Sequence, residues 1–443
     1  MAPEQQQISE LVTLVFRAWQ EAGIDFLVLR NYEGLPHFTT NDIDVLVRPA
    51  QLRAAEAALL AAARAAGFRL HNRGEYASLA LYLSGQQSNV QAHFDLFSDL
   101  KWRGFHFLYS GALFERKVRR GLFAVPHPGH EAATSLLANL IHRGKVKEQY
   151  HSSIAAGFRA EPAAATELLA GTCGQGLAKF LVAAGAGEKW GEIEARTGAL
   201  RRALVLRQVT RRPWQVAASL LADAARLGRR ALRPPGLTVA LCGADGSGKS
   251  TAAGAVIQGL RGTFSPEKGR EFHWKPPLFS AGRRAAREPT IAPHSEPVRN
   301  ALVSLLFFGF HWLEFFLGWP LRIQPVTFRG GLVVINRFYY DFFVDQRRYR
   351  LRVPLWLVGL GYRALVKPDL VLLLDAPAAV LQSRKREVPP AETERQRKAY
   401  RQLVQGLSNG RIIDAAQPPE KVAAEIEQVI LDFMAERTRK RSG

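Results

Sequence analysis

Cysteine is nearly absent from this chain: Cys173 and Cys242 stand far apart, without metal-ligand spacing, among 443 residues. That excludes a disulfide framework and a thiolate metal cluster, and it fits a reducing compartment. Acidic residues are also in deficit. Asp and Glu number 39 against 60 Lys and Arg, a formal charge of +21, so an anionic partner has to be considered: nucleotide, nucleic acid or an acidic membrane surface. The arginines are scattered through helical patterns and no aromatic-interleaved RNA-binding motif occurs, which favours a solvated basic surface. No internal repeat is found. The first residues, Met1-Ala2-Pro3-Glu4-Gln5-Gln6-Gln7, have no basic region leading into an apolar stretch, which argues against a secretory signal and makes the cytoplasm the expected location.

Uninterrupted hydrophobic runs are scarce too. Ala301–Leu321 has the length of a membrane span, but His311 and Glu314 interrupt it. A charged group near the centre of a span is costly, so the expectation is a helix of a soluble enzyme, with peripheral membrane contact left open. Trp214–Leu232, carrying Arg226, Arg229 and Arg230, reads as a linker helix, with a membrane surface as its alternative.

The strongest positive signal is Gly243-Ala244-Asp245-Gly246-Ser247-Gly248-Lys249-Ser250-Thr251, placed directly after the apolar run Leu237–Cys242. In G-x-x-x-x-G-K-[ST], glycines let backbone N–H groups turn inward around phosphate oxygens, and the following helix adds its positive end. Gly243, Gly246, Ser247, Gly248, Lys249, Ser250 and Thr251 are therefore candidate polyphosphate contacts. Lys249 is placed to reach the β/γ-phosphates and Ser250 to ligate Mg²⁺.

The surrounding pattern predicts an α/β chain in three parts. Residues 1–150 open with an apolar helix, Ile8–Ala22, and continue with strands at Phe26–Leu29, Ile43–Val47, Phe68–Leu70, Leu79–Leu83 and Val90–Phe97, with an alanine-rich helix Gln51–Ala66 between them. Residues 151–236 read as a helical connector, punctuated by Arg233-Pro234-Pro235-Gly236. In residues 237–443, buried-type strands at Leu237–Cys242, Leu332–Ile335, Leu370–Leu374 and Arg411–Ile413 alternate with helices, including Thr251–Arg261, which implies a parallel sheet with crossover helices.

In the first part, Asp42-Ile43-Asp44 alternates so that both carboxylates share one side of a strand. Asp95, in His93-Phe94-Asp95-Leu96-Phe97, is placed to supply a third from a neighbouring strand. Three acidic groups are a candidate site for two Mg²⁺ ions that align a nucleotide for attack at its α-phosphate. With the turn Arg30-Asn31-Tyr32-Glu33-Gly34-Leu35-Pro36 before Asn41-Asp42-Ile43-Asp44-Val45-Leu46-Val47, residues 1–150 resemble an uncharacterised bacterial branch of the nucleotidyltransferase superfamily. That resemblance implies an α+β nucleotidyltransferase-like domain with Asp42, Asp44 and Asp95 as metal ligands. Arg30-Asn31 stands where active members carry Gly-Ser. His142-Arg143-Gly144-Lys145-Val146-Lys147 is a candidate basic contact, with a solvated helix end as the alternative.

From Leu237 to the C-terminus the chain resembles the thymidylate kinases. The pieces are the phosphate loop with Asp245, the strand Leu332–Asn336 leading into Arg337-Phe338-Tyr339-Tyr340-Asp341, Lys367–Asp375, the basic Gln382-Ser383-Arg384-Lys385-Arg386-Glu387, and Arg411–Ala415 followed by Pro419-Glu420-Lys421-Val422. The resemblance implies ATP and Mg²⁺ as cofactors, with Asp245 on the acceptor and Arg337 on the transferring phosphate. It further implies Arg384 and Arg386 as lid groups closing over ATP, and Asp414 near the adenine. Such arginines answer a physical need, since a dissociating phosphoryl group spreads negative charge that must be neutralised away from water. Asn336 stands where the family has aspartate, with Asp341 or Asp375 as candidates to compensate. A long insertion containing His273-Trp274-Lys275-Pro276-Pro277 and the apolar run occupies the region where acceptors are usually read.

Three functions follow as expectations. The first is ATP-dependent phosphotransfer of the nucleoside-monophosphate kinase type to a nucleotide or other small phosphorylated acceptor. The second is metal-dependent nucleotidyl transfer at Asp42, Asp44 and Asp95. The third is nucleotide-dependent regulation without turnover. A second copy of the chain, a membrane surface and nucleic acid stay open as further partners.

Overall fold

The computed structural model describes residues 3–39, 42–86, 90–264, 269–276, 278, 294 and 296–442. Asn41 and Pro277, both within segments singled out above, lie outside the described residues. The chain divides into two compact units, Met1–Arg229 and Arg230–Gly443. Of the helices expected as a connector, those from Ile154 to Leu204 contribute to the first unit's core.

The first unit begins with α1 (Pro3–Glu21), β1 (Phe26–Val28), β2 (Ile43–Val47), α2 (Leu52–Ala65), β3 (Phe68–Glu75), β4 (Leu79–Gly85) and β5 (Gln91–Phe97). These strands form one sheet in the order β1-β2-β5-β4-β3, with β2 and β5 parallel and the other pairs antiparallel. Two short hairpins follow, β6 (Leu100–Trp102) with β7 (Phe105–Leu108), and, after α3 (Ser110–Glu115), β8 (Lys117–Arg120) with β9 (Phe123–Pro126). The rest is helical: α4 (Pro128–Arg143), α5 (His151–Ala160), α6 (Pro162–Cys173), α7 (Gln175–Ala186), α8 (Trp190–Ala195), α9 (Thr197–Arg211) and α10 (Pro213–Leu232).

Strand alternation decides what each sheet face meets. Val45 and Val47 of β2 and Phe94 and Leu96 of β5 enter a core with α1 and α2, closed by Phe16 and Trp19. Leu46, on the opposite face, enters a second core built by α4–α9 around Leu136, Leu140, Phe158 and Leu181. Asp44 shares the parity of Leu46, so the helical half of the unit covers the face that carries the acidic groups.

The second unit contains β10 (Leu237–Cys242), α11 (Lys249–Gly259), β11 (Arg270–Phe272), α12 (Ala301–Gly318), α13 (Gln324–Phe328), β12 (Leu332–Asn336), α14 (Asp341–Val344), α15 (Leu355–Arg363), β13 (Leu370–Asp375), α16 (Ala378–Arg384), α17 (Pro390–Gln405), β14 (Gly410–Asp414) and α18 (Pro419–Ser442). All five strands are parallel, in the order β11-β12-β10-β13-β14. The fully buried β10 lies at the centre, as its continuous apolar run predicts. Leu237, Val239 and Leu241 pack against α11 and α18, while Ala240 and Cys242 face the aromatic core of Phe315, Tyr339 and Phe342. The edge strand β11 was missed in the sequence because its residues, Arg-Glu-Phe, are short and half polar.

The two polar residues that interrupt the apolar run both turn inward. Lys275, buried in the insertion, pairs with the fully buried Glu314 of α12 and donates from Nζ to Nδ1 of His311 at 2.7 Å. Trp274 stacks on Tyr349 at 4.2 Å beside them. Burial first, and then the Lys275 ammonium, push His311 from its ordinary 6.5 down to about 3. A histidine held neutral in the fold contributes stability that is complete above its unfolded value and is lost as pH falls below it. Between pH 7 and pH 4 the melting temperature of this protein should therefore fall more steeply than that of His311→Asn. Calorimetric scans in matched buffers check this, and equal slopes would dismiss the assignment.

Candidate functional site

The phosphate-loop motif occupies the C-terminal end of the central strand, where open α/β sheets present ligand sites. Gly243, Gly246 and Gly248 all have positive φ. A Cβ on Gly246 would sit 2.5 Å from the Leu381 carbonyl oxygen, and one on Gly243 would sit 2.6 Å from that of Leu374. Glycine is therefore required twice, to let the loop lie against β13 and α16. Lys249 is buried at the start of α11 and donates to the carbonyls of Gly243 and Ala244 at 2.8 Å and to Ser247 Oγ at 3.2 Å. Burial, followed by the nearby Arg337 guanidinium, pushes its ammonium from 10.5 down to about 7.

A cleft of about 460 Å³ opens over this loop. Gly246, Ser247, Gly248, Lys249, Ser250 and Thr251 line it together with Asn336, Arg337 and Arg384. β12 runs parallel to β10 with Asn336 level with Leu241, and the Arg337 N–H donates to the Leu241 carbonyl at 2.8 Å. Register thus brings Arg337 to the loop. Arg337 and Phe338 hold left-handed backbone at φ 76° and 42°, a strain that non-glycine residues adopt mainly where the surroundings impose it.

Asp245 is the electrostatic centre of the cleft. Its carboxylate accepts from both Arg337 and Arg348. Burial alone would raise this acid, but the two guanidinium groups overcome it and hold Asp245 well below the usual carboxylate range. Arg348 also bonds Glu387 at 3.1 Å, tying the basic segment after α16 to the same centre. Asp341, fully buried, accepts from the hydroxyls of Tyr349 and Tyr400 at 2.7 Å each and faces Arg337 at 3.4 Å. Asp375 is paired with Arg397 at 2.9 Å and Arg401 at 2.7 Å. Neither carboxylate is left open to compensate for Asn336. Glu271 of β11 accepts from the Asn336 amide, whose Oδ1 is buried without a hydrogen-bond partner among the described residues.

Two residues of the expected lid and base site have other surroundings. Arg386 lines a shallow groove with Gln382 and Val388 rather than the cleft, while Arg384 reaches the cleft and donates to the Ala415 carbonyl at 2.7 Å. Asp414 accepts from the Ala416 N–H at 2.9 Å, shaping the turn on which Arg384 rests. Sequence reasoning missed Arg348 and Glu271. Within Arg347-Arg348-Tyr349-Arg350 no spacing singles out one arginine, and Glu271 acquires its partner only through strand pairing.

In the first unit, the β2–β5 register places Asp44 level with Asp95. Asp42 and Asp95 gather with His93, which sequence reasoning did not single out, as a group of metal-ligating type. Ser78 Oγ donates to Asp95 at 2.7 Å and His93 stacks on Tyr82 at 4.1 Å. Asp44 pairs instead with Arg30, and its Oδ1 is buried without a hydrogen-bond partner among the described residues. Burial outweighs Arg30, so Asp44 is raised to about 6, with Asp42 and Asp95 adding to the rise. A cavity of about 830 Å³ lies on this face, lined by Arg30, Asp44, Lys101, Asn139, His142 and Arg143 among others. His142 and Arg143 thus reach a cavity; their basic stretch had solvation as its alternative reading.

No protein-family model matches the chain. A thymidylate kinase of Thermosynechococcus vestitus is 29% identical over 224 residues, which are 44% of this chain and 87% of that protein. A thymidylate kinase of Thiobacillus denitrificans is 31% identical over 217 residues, 45% of this chain and 98% of that protein. The matched length is close to that of the second unit. Among solved structures, a thymidylate kinase from Ehrlichia chaffeensis aligns with a TM-score of 0.35 at 16% identity, covering 44% of this chain and 100% of that one.

Removing one member of a buried charge cluster leaves the others uncompensated, a loss of about 3–5 kcal/mol. Asp245→Asn should destabilise the protein by about that amount in urea unfolding. Lys249→Ala should instead fold normally and weaken binding of a fluorescent ATP analogue by about 10–100-fold, the worth of a charged hydrogen bond to phosphate. An unchanged titration for Lys249→Ala would remove the loop from nucleotide binding.

Proposed function

The chain belongs to the thymidylate kinase family, and from that premise we propose that its phosphate-loop unit moves the γ-phosphate of ATP onto a nucleoside monophosphate or another small phosphorylated acceptor. The observation that carries this reading is the convergence of Lys249, Ser250, Arg337 and Arg384 on one cleft. Four polar or cationic groups there meet a need that a phosphoryl group in flight creates, charge neutralisation away from bulk water.

The cleft suits a hard divalent cation. Ser250 and the unpartnered Oδ1 of Asn336 are oxygen donors of the right type, with Glu271 fixed against the Asn336 amide. Mg²⁺ bound there supplies positive charge to the phosphate oxygens of ATP. An amide ligates Mg²⁺ more weakly than a carboxylate, so Asn336 points to a high Mg²⁺ requirement. Lys249, now spent on two loop carbonyls, exchanges those acceptors for the β/γ-phosphate oxygens. Arg337, held by Asp245 and Asp341, needs no reorganisation to face the transferring group, which is the condition for electrostatic stabilisation. Arg384, anchored on the Ala415 carbonyl, borders the same space. Asp245 here serves two arginines, so we assign it the positioning of Arg337 and Arg348.

Doubly labelled ATP screened against nucleoside monophosphates and phosphosugars should deliver γ-label, not α-label, to an acceptor. Arg337→Ala should lower kcat by about 10²–10³-fold. Asn336→Asp should reduce the Mg²⁺ concentration needed for half-maximal rate. ATP binding with no transfer to any acceptor would replace this reading by nucleotide-dependent regulation.

The first unit supports a second reading, metal-dependent nucleotidyl transfer. The gathering of Asp42, His93 and Asp95 and the cavity that Arg30 and Asp44 line favour it, and the Arg30–Asp44 pair, which leaves the central acid with one oxygen, counts against a full three-carboxylate site. If it operates, α-label should reach an acceptor and Asp95→Asn should abolish that signal while leaving γ-transfer intact. Absence of α-label across the same screen would discard it.

A further inference from the structure

We propose that Trp274, carried by the long insertion, is a positioning residue that fixes Arg337 for phosphoryl transfer, an inference that rests on reading the cleft as a phosphotransfer site. Trp274 follows β11 and holds φ 100°, a left-handed conformation that costs a bulky residue strain and persists where its surroundings impose it. Those surroundings are rings. The indole lies nearly parallel to Tyr349, at 4.2 Å and 13°, and meets His311 at 4.8 Å and Phe342 at 5.8 Å edge-on. Its N–H is buried without a hydrogen-bond partner among the described residues. What the site uses is therefore the ring face rather than the polar edge.

Tyr349 closes the short helical turn Gln346–Tyr349, and that turn supplies a partner to each of the acids beside Arg337. Arg348 donates to Asp245. The Tyr349 hydroxyl donates to Oδ2 of Asp341 at 2.7 Å, the same oxygen that accepts from Arg337 Nη1 at 3.4 Å. Tyr400 donates to the other oxygen of Asp341, so two hydroxyls set the orientation of that carboxylate. Asp245 and Asp341 are in turn the carboxylates paired with Arg337. The insertion grips the turn a second time, since Arg299 donates to the Tyr349 carbonyl at 2.8 Å.

A guanidinium assists transfer only when it is already aimed at the developing charge, and a displacement of about 1 Å costs on the order of 10²-fold in rate. Arg337 stands on left-handed backbone and depends on its two carboxylates to stay in place. Removing the indole frees the Tyr349 ring to turn. Asp341 Oδ2 then loses its hydroxyl, and Arg337 loses the firm setting of one of its two anchors. Lys249 and Ser250, which meet the phosphates of ATP in this reading, stand outside this chain of contacts. Loss of Trp274 is therefore felt in the rate of transfer and not in the binding of ATP.

The test uses the full chain and measures γ-phosphate transfer together with the Arg337 Nε–H signal in heteronuclear NMR, assigned by its absence in Arg337→Lys. Trp274→Leu should lower kcat by about 10–100-fold with the KM for ATP unchanged, and should broaden the Arg337 signal. Trp274→Phe, which keeps a ring face, should restore both. Tyr349→Phe removes only the hydroxyl and should give the same loss, which keeps the test open should Trp274→Leu lose its helical circular dichroism. In an Arg337→Ala background Trp274→Leu should have no further effect on kcat. A folded Trp274→Leu with wild-type kcat and an unchanged Arg337 signal overturns the proposal, and so does a loss that Trp274→Phe fails to restore. A raised KM for ATP at constant kcat also overturns it, by assigning Trp274 to substrate binding. Absence of transfer by the wild-type protein overturns the kinase reading instead, and the NMR signal then decides by itself whether Trp274 fixes Arg337.

Discussion

One buried carboxylate, Asp245, joins three segments that are distant in the chain. It sits in the phosphate loop after β10 and accepts from Arg337, which follows β12, and from Arg348, which lies beyond α14. Two guanidinium groups close together repel, and burial raises the cost of each. The carboxylate between them removes both difficulties, and Arg348 carries the connection on to Glu387 near the end of α16. The glycines at 243 and 246 let the loop come close enough to β13 and α16 for this geometry to exist. Arg337 is thus fixed at the cleft by the same contact that ties it to the loop.

A comparable logic of parity runs through the first unit. Alternation along β2 sends Val45 and Val47 to one core and leaves Asp44 on the face that α4–α9 cover. A carboxylate there is half satisfied by Arg30, and burial outweighs that pairing and raises it toward neutrality. His93 and Asp95, on the partner strand, share that face with Asp42. The acidic group is therefore a product of strand register, while the cavity beside it is a product of helices that the sequence pattern marks only as helical.

α12 shows how one helix can hold opposite demands. Its inward side carries Glu314, matched by Lys275, and aromatic rings that complete a core. Its outward side carries leucines and phenylalanines with no polar relief. In the sequence these two sides merge into a single apolar run with two interruptions. Only a partner for Glu314, supplied by the insertion nearly forty residues away, turns the interruption from a flaw in a span into an anchor.

Much of the parallel-sheet unit was legible in the chain itself. Continuous apolar runs identify β10, β12 and β13 because strands covered on both faces have no polar side to show. The phosphate loop declares itself because backbone geometry there demands glycine at set positions. Pattern alone located four of the five parallel strands and the loop, and it singled out Lys249, Ser250 and Arg337, which the fold gathers at one cleft. Pairing came from the packing of distant segments: Arg348 rather than its neighbours on Asp245, Glu271 on Asn336, Arg30 on Asp44, and Arg384 rather than Arg386 at the cleft. Local pattern reports the conformation a segment prefers. Which charge meets which depends on register and on distant segments packing together, and neither leaves a period in the sequence.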